Sequence, residues 1–287
     1  MIRWIAALCF AASSAAGAEA TLLSSYAWSL SNAAFGGISS LHLDDKGQAF
    51  LATSDHGYFL SGRVIRKSGK ITNVVDQTLV PIKTINGAPV GELFADAEGI
   101  TVGANGRVFV SFERKHRVWA YPDTNSAAQK LPKHRDFKSL QNNSSLEALA
   151  IDAKGWLYAL PERSGQLEKP FPVYRFNGLA WDKRLNIPRR GAFLVTGADF
   201  GPDGRFYLLE RNFKFPLGIS TRVRRFSLTK TGFMDEQVLI ETPFGTHDNL
   251  EGISVWRDDQ KRIRITLVSD DNFNFFQRTE LVDYVVH

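Results

Sequence analysis

The stretch EGITVGANGRVFVSFER, residues 98–114, contains an apolar strand entered through Glu-Gly, a turn, and a second apolar strand that ends on an acid and a base. Variants of this arrangement recur at residues 36–56, 147–163, 196–211 and 251–272. A unit of strands that repeats about every 50 residues is typical of a β-propeller, whose blades pack their faces against one another. The sequence therefore predicts an all-β fold made of a single β-propeller.

The number of blades follows from the segments around these units. Each unit continues into further strand-like segments, which gives four strands per blade and five blades; six is the alternative, if residues 68–94 contain a degenerate blade. The last unit ends after a third strand at residues 280–286. Residues 22–30 precede the first unit, and we expect them to supply the outer strand of the last blade, because this pairing covers an open sheet edge.

The N-terminal residues have the features of an export signal. Residues 1–20 combine Arg3, an apolar stretch and Ala-x-Ala sites, which predicts a secretory signal peptide. Residues 21–287 are then the propeller domain, and the mature protein is expected to be periplasmic or secreted. Cys9 is the single cysteine and lies in the signal, so packing rather than disulfides is expected to stabilise the domain.

The distribution of charge and the predicted export argue against a nucleic-acid partner. The net charge of the chain is +5, but the basic residues are scattered. Beyond the signal, no segment approaches the roughly 20 apolar residues of a membrane-spanning helix. We expect a monomer that acts on a small anionic ester.

The repeat brings acidic residues together. The start of the first strand and the end of the second share one edge of a sheet, because a tight turn reverses the chain between them. Glu98 should therefore neighbour Glu113, and Glu147 should neighbour Glu162. Around the central channel the repeats predict a ring of up to nine carboxylates: Asp55, Glu98, Glu113, Glu147, Glu162, Glu210, Glu251, Asp270 and Asp271.

Such a ring requires compensation by a cation or by bases. Ca²⁺ prefers oxygen ligands and tolerates irregular geometry, so it is the predicted cofactor. Zn²⁺ is disfavoured, since no cysteine remains and the histidines lack the usual ligand spacing. The candidate metal ligands are Asp55, Glu113, Glu162, Glu210, Asp270 and Asp271. The candidate catalytic residues are Glu98, Glu147 and Glu251.

Bases follow several of the acids. Arg114, Arg163 and Arg211 come directly after a glutamate, and His56 follows Asp55. Arginine binds phosphate and carboxylate through paired hydrogen bonds, so these four residues are predicted to contact an anionic substrate. The alternative is a ring of salt bridges that joins the blades without any ligand.

Five short segments carry a resemblance to a known family. They are FGGISSL at 35–41, EGI at 98–100, EAL at 147–149, EGI at 251–253 and SDDNF at 269–273. Together they resemble the phytase-like domain, also called esterase-like activity of phytase, of exported bacterial proteins. The resemblance implies a propeller with functional acids and a phosphoesterase or esterase activity. The fourth unit departs from it with Thr196-Gly197, so that blade is expected to contribute only Glu210.

These observations favour an exported, Ca²⁺-dependent hydrolase of phosphate or related anionic esters. One alternative is a metal-dependent propeller hydrolase of the lactonase or sugar-ester type. Another is a non-catalytic module that binds a ligand in the cell envelope. Turnover of phosphate esters, turnover of lactones, and binding without turnover distinguish the three.

Overall fold

The computed structural model describes residues 19–141 and 146–287. Residues 1–18 of the predicted signal lie outside the described residues. The described chain forms five four-stranded antiparallel sheets, and the innermost strands of these sheets contact one another in a closed ring. The predicted five-bladed β-propeller is thereby confirmed.

Each blade runs from an inner strand at the channel to an outer strand. Blade one contains β2 (Ile38–Leu43), β3 (Ala49–Ser54), β4 (Tyr58–Lys67) and β5 (Lys70–Pro81). Blade two contains β6 (Ala97–Val102), β7 (Val108–Phe112), β8 (Arg117–Tyr121) and β9 (Gln129–Lys130). Blade three contains β10 (Leu146–Ile151), β11 (Leu157–Pro161), β12 (Phe171–Phe176) and β13 (Trp181–Ile187). Blade four contains β14 (Leu194–Phe200), β15 (Phe206–Lys214), β16 (Gly218–Leu228) and β17 (Phe233–Glu241).

Blade five is completed by the first strand of the described chain. It contains β18 (Asn249–Arg257), β19 (Ile263–Asp270), β20 (Glu280–Val286) and, as its outer strand, β1 (Ala20–Ala27). β1 pairs antiparallel with β20, from Ala20 opposite Val286 to Ala27 opposite Glu280. The predicted closure of the ring is therefore confirmed.

Connections between blades contain little regular structure. Residues 68–94 complete blade one with β5 and then lead into a short helix, α1 (Glu92–Ala95), so they do not form a sixth blade. A 3₁₀ helix, Arg135–Ser139, lies before blade three. Neither helix approaches the length or apolar character needed to cross a bilayer, and the described residues contain no other helix.

Apolar side chains fill the spaces between neighbouring blades. Five buried clusters each combine residues of two adjacent blades. The apolar positions that alternate in the sequence units, such as Val110, Leu157 and Phe206, are at most 1% exposed within them. Burial of these side chains is the main stabilising contribution, at roughly 25 cal/mol per Å² of apolar surface removed from water.

Every inner strand contains one β-bulge at the same place. In each blade the pairing between the first and second strands skips one residue of the first strand. The skipped residues are Ser39, Glu98, Glu147, Thr196 and Glu251. A bulge turns one side chain out of the regular alternation of the strand. The fold therefore gives the skipped residues one equivalent position around the channel.

The residue after each bulge is small because the inner strands approach closely there. A Cβ atom on Gly197 would lie 2.5 Å from the Glu251 carbonyl oxygen of the next blade. A Cβ atom on Gly252 would lie 2.5 Å from Val268 Cγ1 and 2.9 Å from the Leu41 backbone nitrogen of blade one. Real Cβ atoms do not approach backbone this closely, so the ring requires minimal side chains at these two positions.

We expect Gly252→Ala to lower the free energy of unfolding by roughly 1–3 kcal/mol, since the backbone of two blades must move apart. The matched control is Gly91→Ala, because a Cβ atom there meets nothing within 4 Å and Gly91 has an ordinary φ of −73°. Chemical denaturation of the two variants makes the comparison. Equal stability of both would contradict the close approach.

Candidate functional site

The bulges direct three glutamates toward the mouth of the channel. Glu98, Glu147 and Glu251 occupy the bulge of blades two, three and five. In blade one the Ser39 hydroxyl donates to the Ala97 carbonyl of the next blade. In blade four the Thr196 hydroxyl donates in the same way to the Leu250 carbonyl, at 3.3 Å. The two blades that lack an acid at this position use it to tie neighbouring blades together.

A second ring position follows the end of the second strand. Three strand-end residues, Ser54, Phe112 and Pro161, pair with the residue just before the bulge of their blade. The equivalent residues of the other two blades are Glu210 and Ser269. In each blade the residue that follows this paired residue lies at the rim. These rim residues are Asp55, Glu113, Glu162, Arg211 and Asp270.

Blade four therefore departs from the repeat by one residue. Glu210 was expected at the rim because it is the last acid of its unit, but it pairs with Val195 inside the sheet. Arg211 takes the rim position instead. Successive residues of a strand point to opposite faces, so a shift of one residue turns the glutamate away from the channel. The structure thus corrects the expected place of Glu210.

Glu210 lies in a buried ion-pair network. Its carboxylate is fully buried and accepts a hydrogen bond of 2.9 Å from Arg222 Nε and one of 2.7 Å from Arg224 Nη2. Arg224 also pairs with Glu236, at 2.8 Å. Two arginines compensate the charge of Glu210, which separates it from the acids that repel one another at the rim.

One rim acid, Asp96, is not among the carboxylates that the repeats predict. Asp96 accepts a hydrogen bond of 2.9 Å from the Glu113 backbone nitrogen through its carbonyl oxygen, so it lies at the start of blade two beside that residue. Asp96, Glu98 and Glu113 each offer a carboxylate oxygen, and these oxygens lie within 4.8 Å of one another. The feature of the sequence that indicates Asp96 is its place two residues before the bulge residue Glu98. Asn249 stands at the equivalent place before Glu251 and donates to its Oε1 at 2.9 Å.

The rim acids shift one another's proton affinity. Burial raises the pKa of Glu98 well above its usual value, and the charges of Glu147 and Glu251 raise it further. The pKa of Glu147 is also raised well above its usual value, first by burial and then by the charge of Glu113. Burial raises the pKa of Glu251, although Arg211 opposes this shift. The carboxyl groups are therefore close enough to repel one another.

Two aspartates of the ring have pKa values near neutrality. Burial, followed by the charges of Asp96 and Glu251, raises the pKa of Asp55 to about 7. Burial and the charge of Glu251 raise the pKa of Asp270 to about 8. The acids at this mouth of the channel are named the rim acids: Asp55, Asp96, Glu98, Glu113, Glu147, Glu162, Glu251 and Asp270.

The backbone of the first unit covers Asp55. Asp55 Oδ1 is buried and has no hydrogen-bond partner among the described residues. A Cβ atom on Gly37 would lie 2.0 Å from this oxygen, and Gly37 has a φ of +59°. Only glycine adopts this conformation easily and leaves room for the carboxylate. An unpartnered buried oxygen of this kind suits a cation ligand.

The three arginines predicted to bind substrate all pair with rim acids. Arg211 Nη1 lies 2.5 Å from Glu251 Oε1, and its Nη2 lies 3.1 Å from Glu162 Oε1. Arg163 Nε lies 3.1 Å from Glu162 Oε2. These contacts show that the salt-bridge interpretation describes part of the ring.

The third arginine lies on blade two. Arg114 Nε lies 3.0 Å from Asp96 Oδ2, and the Arg114 side chain is half-exposed. Within residues 19–141 and 146–287, no arginine, lysine or histidine forms an ion pair with Glu98 or Glu147. Glu98 and Glu147 therefore lack the direct ion pairs that Glu162 and Glu251 form.

Asp271 and His56 hold the loop beside the rim. Asp271 accepts hydrogen bonds from the backbone nitrogen of Gly37 at 2.9 Å and from the Thr279 hydroxyl at 2.9 Å. The His56 ring stacks on Phe273, with ring centroids 3.9 Å apart. Asp271 thus connects blade five to the segment before blade one, and both its oxygens are engaged in this connection.

Comparison with known families agrees with this arrangement. The family described as phytase-like, with esterase-like activity of phytase, matches residues 33–273. The chain belongs to the phytase-like family. The match spans all five inner strands, so it includes every rim acid of this phytase-like propeller. No curated protein matches the chain.

Solved structures resemble the phytase-like propeller at low identity. The pyrroloquinoline-quinone-bound aldose sugar dehydrogenase of Streptomyces coelicolor is 14% identical, with a TM-score of 0.52 over 94% of this chain and 99% of that chain. A gluconolactonase of Xanthomonas campestris is 12% identical, with a TM-score of 0.46 over 88% of this chain and 86% of that chain. Identities this low show the fold alone.

We expect Glu210→Gln to lower the free energy of unfolding by about 3–5 kcal/mol, because it removes the fully buried charge partner of Arg222 and Arg224. Each arginine then keeps only its more exposed partner, Glu241 or Glu236. The control is Glu241→Gln, which removes an exposed acid 3.9 Å from the same Arg222. Urea denaturation gives both values. If Glu210→Gln lowers the free energy of unfolding no more than Glu241→Gln does, the buried network does not contribute the expected stability.

The stability of the metal-free protein should fall as the pH rises from about 5 to 8. Asp55 and Asp270 titrate near pH 7 and 8 in the folded state and near pH 4 when unfolded, so the folded state binds more protons in this window. Thermal melts in EDTA measure the effect, and Asp270→Asn should reduce the slope. The exposed acid variant Asp76→Asn should leave the slope unchanged.

Proposed function

We propose that this phytase-like propeller is an exported, Ca²⁺-dependent hydrolase of phosphate esters or related anionic esters. The single observation that carries the proposal is the convergence of eight rim acids on one mouth of the channel, with Arg211 as the one base at the equivalent positions. A folded protein tolerates such repulsion at a cost to stability. A divalent cation offsets that cost directly.

The donor set fits Ca²⁺. The group Asp96, Glu98 and Glu113 supplies carboxylate oxygens only, and it includes no histidine or cysteine. The unpartnered buried oxygen of Asp55 adds a further ligand atom on the neighbouring blade. Ca²⁺ accepts several oxygen ligands in flexible geometry. When bound, it would supply positive charge that neutralises the acids and attracts an anionic ester.

The residues around this group would position the ester and move protons. Arg114 and Arg163 have half-exposed side chains at the edge of the ring, where they can orient an anionic group. Asp270 has a pKa of about 8 and holds a proton at neutral pH, which it can donate to the leaving oxygen of an ester. Glu147 can accept a proton from the attacking water once it is ionised, and its raised pKa makes its carboxylate a stronger base.

Localisation and domain limits belong to the same proposal. A secretory signal over residues 1–20 and a propeller over residues 21–287 would place the site in the periplasm or outside the cell. Extracellular calcium-binding modules have dissociation constants of about 10⁻⁴–10⁻³ M, so an affinity in this range would suit the site.

Hydrolysis of a phosphate monoester by the mature protein, with and without Ca²⁺, tests the proposal. Glu98→Gln should reduce turnover at least about 100-fold and weaken the Ca²⁺-dependent rise in melting temperature, while the fold is kept. The control is Asp76→Asn, an exposed acid far from the rim in blade one.

Three outcomes would contradict the proposal in different ways. Turnover of lactones without turnover of phosphate esters would indicate the lactonase-type alternative. Stabilisation by Ca²⁺ without turnover of any ester would indicate a binding module. No stabilisation by Ca²⁺, Mg²⁺ or Zn²⁺ would leave the acids as salt-bridge partners.

A further inference from the structure

Exposed aromatic side chains stand at the end of the propeller that holds the rim acids, which we call the rim end. Phe213 and Phe215 are 67% and 84% exposed, and Phe275 and Phe276 are 95% and 90% exposed. Phe213 lies near the end of β15, and the other three lie on the connections between the second and third strands of blades four and five. Both connections emerge at the rim end. Concentrations of exposed apolar surface mark places where a protein contacts another molecule or a membrane.

The first connection is a hairpin that projects beyond the rim. β15 and β16 stay paired past Arg211, as far as Lys214 opposite Gly218. Each strand residue advances the chain by about 3.3 Å, so the hairpin rises roughly 10 Å above the position of Arg211. Its tip carries Phe215 and Leu217, which is 51% exposed. The aromatic side chains thus stand on a prominence.

The second connection is a loop with its own hydrogen bonds. The Asn274 backbone nitrogen donates to the Asp271 carbonyl at 2.7 Å, and the Gln277 backbone nitrogen donates to the Asn274 carbonyl at 2.9 Å. These turns present Phe275 and Phe276 outward, with ring centroids 5.7 Å apart. The hydrogen-bonded turns of the loop therefore hold Phe275 and Phe276 in their exposed positions.

The two prominences share a base. Gln277 Nε2 donates to Asp248 Oδ1 at 3.0 Å, which fixes the loop to the start of blade five. The next residue, Asn249, accepts a hydrogen bond of 2.5 Å from Arg211 at the foot of the hairpin. The four aromatic residues therefore belong to neighbouring segments on one face.

Each segment carries one exposed base. Lys214 stands exposed between Phe213 and Phe215, and the Arg278 side chain, which lies 3.5 Å from the buried Glu280 carboxylate, is 62% exposed. The one acid within residues 212–218 and 271–279 is Asp271, whose oxygens are both engaged in hydrogen bonds. Aromatic side chains flanked by lysine and arginine suit the interface of a membrane, where the rings enter the headgroup region and the bases meet lipid phosphates.

We propose that the rim end docks on the surface of a lipid bilayer through these two segments. Separate prominences with almost fully exposed rings can enter a layer of headgroups without a complementary partner surface, whereas a stable protein interface requires about 800 Å² of matched surface on each side. Docking would hold the acidic mouth against phosphate-containing headgroups. It does not depend on the proposed hydrolysis, since the contacting residues are not rim acids.

Sedimentation with vesicles of phosphatidylcholine containing a minority of phosphatidylglycerol tests the proposal. EDTA is present, so that Ca²⁺ cannot bridge the rim acids and lipid phosphates. We expect the mature protein to sediment with the vesicles, and Phe275→Ser with Phe276→Ser to lower the partition coefficient about tenfold or more. Lys214→Glu should weaken binding to the anionic vesicles and leave binding to pure phosphatidylcholine nearly unchanged.

The matched control is Leu179→Ser. Leu179 is 83% exposed but lies on the turn between β12 and β13, at the opposite end of the propeller, so its loss should leave sedimentation unchanged. Failure of the unmodified protein to bind vesicles would overturn the proposal. So would equal loss of binding in the control. A dimer that the double phenylalanine variant dissociates, without vesicle binding, would overturn it too and assign the surface to a second copy of the chain.

Discussion

The close approach of five inner strands is the constraint on which the rest of this propeller depends. The strands can surround one channel only if the residues between them are small, as at Gly197 and Gly252. The same closeness brings the bulges of neighbouring blades side by side. A polar side chain at a bulge therefore meets either the backbone of the next blade, as Ser39 does, or the acids across the channel mouth, as Glu98 does. The small residues between the blades and the cluster of rim acids thus both result from the close approach of the inner strands.

Much of this arrangement was predictable because it repeats. The number of blades, the closing strand and the meeting of Glu98 with Glu113 all follow from strand length, turn position and antiparallel pairing. Each of these properties is local, or is copied from one unit to the next. The acid cluster was predictable for the same reason, since equivalent residues of a closed ring converge on one edge.

The predicted place of Glu210 was wrong because a shift of one residue in strand register decides which side chain faces the channel. Glu210 and Arg211 are adjacent, and only the register of β14 against β15 shows which of them faces the channel. The ion pairs of Glu210 with Arg222 and Arg224 involve the third strand of the blade, whose alignment the repeat does not encode. Asp96 was missed because the acid stands before the strand pattern begins, although backbone pairing places it at the same edge.

The pairing of β1 with β20 has a consequence for how the molecule is made. Contacts between residues this distant in the chain form slowly, because a long loop must close before they contribute any stability. Four blades can assemble from neighbouring segments, but the fifth waits until the last strand has been synthesised and has found the first. Until β1 pairs with it, β20 has an open edge. A ring that lacks only β1 exposes an unpaired strand edge, which is a template for pairing with other chains, so the N-terminal strand protects the last blade from aggregation.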